Sequence, residues 1–350
     1  MSSHTWTANG KGILVTSLDF ELYWGMRDLE SLKESRIRLA NAHSAVRSIL
    51  HLFKTFEIHS TWATVGFLFL KNREELIQTS PAVRPDYRAR CLSPYADIEA
   101  IGENEQQEPS CYAPSLVEEI RNTPYQEIGT HTFSHYYCLE DGQTLAAFQS
   151  DLTAAVAAAK RRDLKMRSIV FPRNQVNSNY LDACAEAGIV SYRGAGSHWM
   201  YRTRKRSDET FLRRVSRVLN AYLNLGGHNS IPMETIARQR VPFNFPGSLH
   251  LRPPLMTIRP FERLALRRVY KGMDFAARRG HMYHLWFHPE DFANNSQKKL
   301  DILAKVLEHF AGLRARHRMD SLNMSELAGR LSARATVDKG SCVELAKQSP

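Results

Sequence analysis

Four short clusters carry residue types and spacings suited to catalysis. The first is Asp19-Phe20-Glu21, where an apolar run stops and two carboxylates stand two residues apart. Alternation in an extended chain puts both on one side, where they can act as ligands or as a base, although a solvated strand end would read the same way. The second is His131-Thr132-Phe133-Ser134-His135, beside Gly129. Histidines four residues apart on one helical turn form a chelating pair, and neutral imidazole is the commonest nitrogen ligand. Two histidines and one carboxylate leave coordination positions open, as a catalytic metal needs and a structural one avoids. The third is Phe171-Pro172-Arg173-Asn174-Gln175, a polar turn. In the fourth, His288 is followed by Pro289 and preceded by Trp286 and Phe287, a setting that suits a general acid.

Each cluster must sit at the end of a strand if the four are to meet. The order of elements predicts this: strands at Gly12–Leu18, His59–Phe67, Tyr125–Gly129, Arg167–Phe171, Ile189–Tyr192 and His281–Phe287 alternate with amphipathic segments. Helices are expected over Ser35–Thr55, from Ser115 with Glu118 as its capping-box partner, and over Thr144–Arg161, Ser178–Ala187, Pro260–Arg279 and Gln297–Arg314. Strand-helix alternation of this kind makes a parallel sheet, and six steps favour a closed or nearly closed barrel whose reacting groups lie at the strands' C-terminal ends. No Gly-x-Gly-x-x-Gly follows a strand, which removes the basis for a dinucleotide crevice. Two stretches interrupt the rhythm and read as insertions, about 81–114 and 196–256.

The composition agrees with a folded chain. Of 350 residues 43% are hydrophobic and 24% charged, which excludes collagen-like and wholly disordered classes. Length alone would allow two domains, but clusters from residue 19 to residue 288 must converge, so one barrel over 1–333 is expected, with a flexible tail at 334–350. The five cysteines are odd in number and form no CxxC pair, so neither a disulfide framework nor a zinc finger follows. Neither a secretory signal nor an apolar run long enough to span a bilayer is apparent, and a cytoplasmic location is expected. The net charge of +11 has a local component: Arg202, Arg204, Lys205, Arg206, Arg213, Arg214 and Arg217 face only Asp208 and Glu209 within residues 201–217. Such a run is ordinarily a solvated surface; its functional reading is attraction to an anionic substrate or a membrane surface, with nucleic acid disfavoured because no recognition motif accompanies it.

In this order, the acid pair, His-x-x-x-His, the arginine turn and the late histidine resemble the NodB-homology polysaccharide deacetylases, carbohydrate esterase family 4. The likeness spans about residues 12 to 310 and is nearest to the branch whose first motif reads Asp-x-Asp or Asp-x-Glu. Ser60-Thr61-Trp62-Ala63-Thr64-Val65-Gly66 is similar to that branch's second strand, and Ile128 to His135 is the most specific match. The resemblance implies a distorted (β/α)7-type barrel and a divalent metal on Glu21, His131 and His135, with zinc preferred and cobalt, nickel or iron also suited. It implies Asp19 as general base, Arg173 as the arginine that orients it, and His288 as the acid that protonates the leaving amine. Trp24, Asn174 and Arg252 become candidate substrate contacts. Glu21 stands where the family usually has aspartate, the arginine turn departs from Arg-x-Pro, and no counterpart of the motif supporting the catalytic histidine is evident. The implied activity is removal of N-acetyl groups from a polysaccharide, saccharide intermediate or nucleotide-sugar. The alternatives are an amidase on a cyclic ureide-like substrate and an inactive glycan-binding barrel; a two-His-one-carboxylate iron oxygenase is disfavoured by the α/β order.

Overall fold

The computed structural model describes residues 10–196, 198–252, 258–294 and 296–334. The expected tail lies outside the described residues, apart from residue 334. Strand β1 (Ile13–Phe20) is buried along its whole length, which explains its nearly continuous apolar reading. It pairs in parallel with β9 (His281–Phe287) on one side and with β2 (Ser60–Thr64) and β10 (Asp320–Leu322) on the other. From β2 the parallel sheet continues through β3 (Gln126–Thr130), β4 (Ser168–Val170), β5 (Ser191–Arg193) and β7 (Phe243–Asn244). Beside β9 lie β8 (Leu249–His250), parallel, and β6 (Ile231–Pro232), antiparallel.

The sheet curls into a barrel-like layer surrounded by helices, in agreement with the α/β barrel expected from the sequence. The stretch read as the second insertion supplies β6, β7 and β8 and bridges the seam. Phe245 and Gly247 donate backbone N–H groups to Tyr192 and Gly194 on the β5 side, while Ser248 and Leu251 donate to His284 and Trp286 on the β9 side. These strands are only two residues long, too short for a periodicity signal.

Period-two alternation sorts the strand side chains into two layers. Leu14, Leu18 and Phe20 point outward into the large core shared with α2 (Ala42–Thr55), α5 (Leu145–Lys160), α9 (Arg259–Arg279) and α10 (Ser296–His317). Ile13 and Val15 point inward, joining Ala63, Val170, Met282 and Phe245 and capped by Met324 and Leu327. Farther along the same inward rows the residues become polar: Ser17 and Asp19 on β1, Arg193 on β5, His284 on β9. The inward rows are therefore polar where the strands finish, and a second buried polar cluster, Glu127 with Thr61, Ser168 and Ser325, lies elsewhere on the same rows.

Several boundaries differ from the sequence reading. The helix expected over Ser35–Thr55 is two, α1 (Leu32–Leu39) and α2, because the chain turns at Ala40 and Asn41, and Ser31 with Glu34 forms a capping box one element earlier. Ser115 caps nothing: Pro114 is the first residue of α4 (Pro114–Asn122), and the Ser115 hydroxyl donates to Glu105 instead. The loop at 81–114 contains two single 3-10 turns and packs Leu92, Ile98 and Ile101 inward.

Candidate active site

Glu21 follows β1 directly and His131 follows β3. Glu21 Oε2 lies 3.1 Å from both His131 Nε2 and His135 Nε2, with all three side chains buried. The two histidines do not share a helical turn. They are joined by an irregular bend in which Thr132 (φ 65°) and His135 (φ 58°) adopt the left-handed region, a strained backbone that needs strong local support. Asp151 on α5 supplies it: its carboxylate accepts from Phe133 N at 2.7 Å, from Ser134 N at 3.2 Å and from the Ser134 hydroxyl. The Thr132 hydroxyl adds an acceptor for Tyr136 N at 2.6 Å. Burial pushes Asp151 up to about 6 despite these donors, since no cation accompanies it.

Gly25 is required at its position, because any Cβ there would collide with the Glu21 carboxylate. Burial alone would raise Glu21, but His288 and the hydrogen bonds from His131 and His135 outweigh it and hold the carboxyl well below its usual range. Burial pushes His135 down to about 4, leaving it neutral near pH 7 and able to offer a ring lone pair.

The three donor atoms fit a divalent cation. They are buried and lie within 4.8 Å of one another, and atoms bound to one ion at about 2.0–2.1 Å sit roughly 3 Å apart, as Glu21 Oε2 does from each histidine. The imidazole-carboxylate set suits zinc, cobalt, nickel or iron(II).

Asp19 Oδ1 and Oδ2 each accept from Arg193 at 2.6 Å, a bidentate pair, and both side chains are almost wholly buried. Arg193 also donates to Ser17 Oγ at 3.0 Å and to Asn174 Oδ1 at 3.0 Å, and its guanidinium lies 4.1 Å over Trp286. Ser17 in turn contacts His284 Nε2 at 2.8 Å. Burial opposes the charge on Asp19, and the Arg193 guanidinium overrides it, so the carboxyl sits below its ordinary value.

This corrects the role expected for Arg173. Its guanidinium pairs with Asp28 at 2.6 Å and covers the Tyr137 ring, so it lines the cleft without touching Asp19. Arg173 and Asn174 both have φ of 53°, which directs Asn174 toward Arg193. Arg193 escaped the sequence reading because it ends a three-residue strand; its inward parity with Ser191 was the available signal.

His288 closes the group. Its Nε2 is 3.8 Å from Asp19 Oδ2 and 3.5 Å from Glu21 Oε1, and its Nδ1 is 3.8 Å from Asp291 Oδ2. Asp291 is the acid beside Nδ1, beyond hydrogen-bond reach. His250 stacks on Trp286 with centroids 3.9 Å apart and meets His288 edge-on. Arg252 lines the same cleft. Trp24 does not: it is fully buried, donates Nε1–H to Cys111 O at 2.9 Å and packs on Phe67, so it is a core residue.

No protein-family model and no curated protein matches the sequence. Solved structures do match over nearly the whole chain. A protein from Mycobacterium smegmatis assigned as a polysaccharide deacetylase superposes with TM-score 0.57 at 12% identity, covering 93% of this chain and 92% of its own. One from Pseudomonas aeruginosa PAO1 with the same assignment gives TM-score 0.54 at 10% identity, covering 94% and 93%. The Puue allantoinase gives TM-score 0.54 at 11% identity, covering 94% and 92%. The chain thus has the polysaccharide-deacetylase fold, the fold that the order of its motifs implied.

Proposed function

We propose that this chain is a metal-dependent hydrolase that removes N-acetyl groups from a sugar, and that it belongs to the deacetylase family whose fold it shares. The observation that carries this reading is the meeting of Glu21, His131 and His135 at one point, with Asp19 and His288 over the same cleft. Glu21, His131 and His135 would hold the ion, which when bound supplies Lewis acidity toward the acetyl carbonyl and makes a bound water more acidic. Arg193 keeps Asp19 ionised, so that a carboxylate Oδ is ready to take a proton from the attacking water. His288 Nε2 faces the same space and can give a proton to the amine nitrogen, without which the leaving group would be an amide anion. Asp291 lies behind Nδ1, with its carboxylate 3.8 Å away. Neither a base nor an acid is needed for binding alone, which disfavours the inactive glycan-binding alternative.

The allantoinase likeness supports a second reading, hydrolytic opening of a cyclic ureide, because the same groups can break that C–N bond. Acetate release from N-acetylated mono- and oligosaccharides and nucleotide-sugars, run beside a ring-opening assay on allantoin, separates the two. The proposal expects acetate release and no ring opening; the reverse pattern contradicts it. No helix among the described residues is long and apolar enough to cross a membrane.

A further inference from the structure

The cleft above Asp19, Glu21 and His288 encloses about 380 Å3, within the roughly 300–1,000 Å3 of small-molecule sites. Eight arginine and lysine side chains line it against three carboxylates. All three carboxylates are already engaged: Asp19 by Arg193, Glu21 by the two histidines, and Glu209 by Arg217. Asp28 below the lip is shared between Arg173 and Arg206, and Lys205 is paired with Asp141. Arg202, Arg204, Arg214 and Arg252 remain, and none has a carboxylate within salt-bridge distance among the described residues.

Arg252 is the most informative of these. It is half-buried beside β8, and burial together with the neighbouring Arg217 disfavours its charge. A partly desolvated guanidinium without a counterion costs free energy that an incoming oxyanion recovers. Guanidinium forks match the paired oxygens of phosphate and carboxylate, and a neutral glycan would leave all four arginines unmatched.

Resting on the deacetylase reading, we propose that the substrate is an N-acetyl sugar bearing a phosphate or carboxylate. Arg252 and Arg214 bind that anionic group, and Arg202 and Arg204 add long-range attraction.

The test uses the zinc-loaded full chain. Acetate release is measured with UDP-N-acetylglucosamine, N-acetylglucosamine 1-phosphate, N-acetylneuraminic acid and neutral chitotriose, and inorganic pyrophosphate binding is followed by calorimetry. The anionic substrates should exceed chitotriose in kcat/KM by about ten-fold or more, the worth of a charged hydrogen bond. Their KM should rise several-fold between about 50 and 500 mM salt, where screening lengths shorten. Arg252→Gln and Arg214→Gln should each raise that KM by about ten-fold with a much smaller change in kcat, and weaken pyrophosphate binding alike. Arg214 is exposed, so its variant stays informative even if Arg252→Gln fails to fold. Lys298→Gln, on an exposed position of α10, should alter neither quantity. Chitotriose as the best substrate, salt-independent KM, or nucleic-acid binding that displaces the sugar phosphates would each overturn the proposal. If no sugar releases acetate yet pyrophosphate binds through Arg252 and Arg214, the anion site stands and the deacetylase reading fails.

Discussion

The bend at residues 131–135 reaches the cleft through His135, residues 201–217 line it more widely, and the two treat charge in opposite ways. In the first, every charge is buried and matched: Glu21 receives two imidazoles, and Asp151 receives three donors from the bend. In the second, three arginines stand exposed with no acid beside them. The matched region holds a geometry, and the unmatched region holds an attraction that a ligand completes. Strain follows the same division, since the left-handed residues Thr132, His135, Arg173 and Asn174 lie on the matched side. Dense hydrogen bonding and burial support these backbone conformations at Thr132 and His135.

The largest effect is expected from breaking a matched charge. Arg193→Gln leaves Asp19 buried without its guanidinium, which should cost about 3–5 kcal/mol of stability near pH 7. Asp19 is held below its ordinary pKa chiefly by Arg193 acting against burial. Without Arg193 burial prevails and the carboxyl rises, so the acidic limb of the kcat/KM profile should move to higher pH. An unmoved limb would show that Asp19 is not the group titrating there.

Asp151→Ala comes next. It orphans three buried donors on the ligand-bearing bend, at about 1–3 kcal/mol for the site, and should loosen metal binding by roughly 10–100-fold, as removal of outer supports does. Denaturant melts and a competitive chelator titration measure the two, and unchanged metal affinity would mean that the bend holds its shape without α5. The smallest effect belongs to residues 201–217, the strap that lines the cleft. Glu209→Gln removes a partly exposed pair with Arg217 and should shift stability by no more than about 1 kcal/mol. A larger loss in thermal unfolding would show that the strap is as tightly integrated as the bend.

The same contrast explains what was readable in the sequence. Asp19, Glu21, His131, His135 and His288 follow or end strands with clear apolar runs, and strand alternation alone places the inward rows. Their order also carried the fold. Arg193 and Asp291 were not apparent because their positions depend on β5 and the β9 turn closing over Asp19 and His288, contacts separated by 174 residues in the first case. Arg173 was given Arg193's role because a polar turn after a strand looks alike whether its arginine points to the base or to Asp28. Trp24 is a candidate substrate contact only through the resemblance; the single 3-10 turn after β1 places it in the core. The seam strands were hidden by their two-residue length.

The central claim is that Glu21, His131 and His135 form the metal site and His288 the acid beside it. Metal content per chain, measured on purified His131→Ala and His288→Ala proteins together with acetate release, tests it most directly. The account predicts that His131→Ala loses both metal and activity, whereas His288→Ala keeps about one equivalent of metal and loses turnover by roughly 10²-fold or more. Full metal content in His131→Ala, or near-normal turnover in His288→Ala, would contradict it.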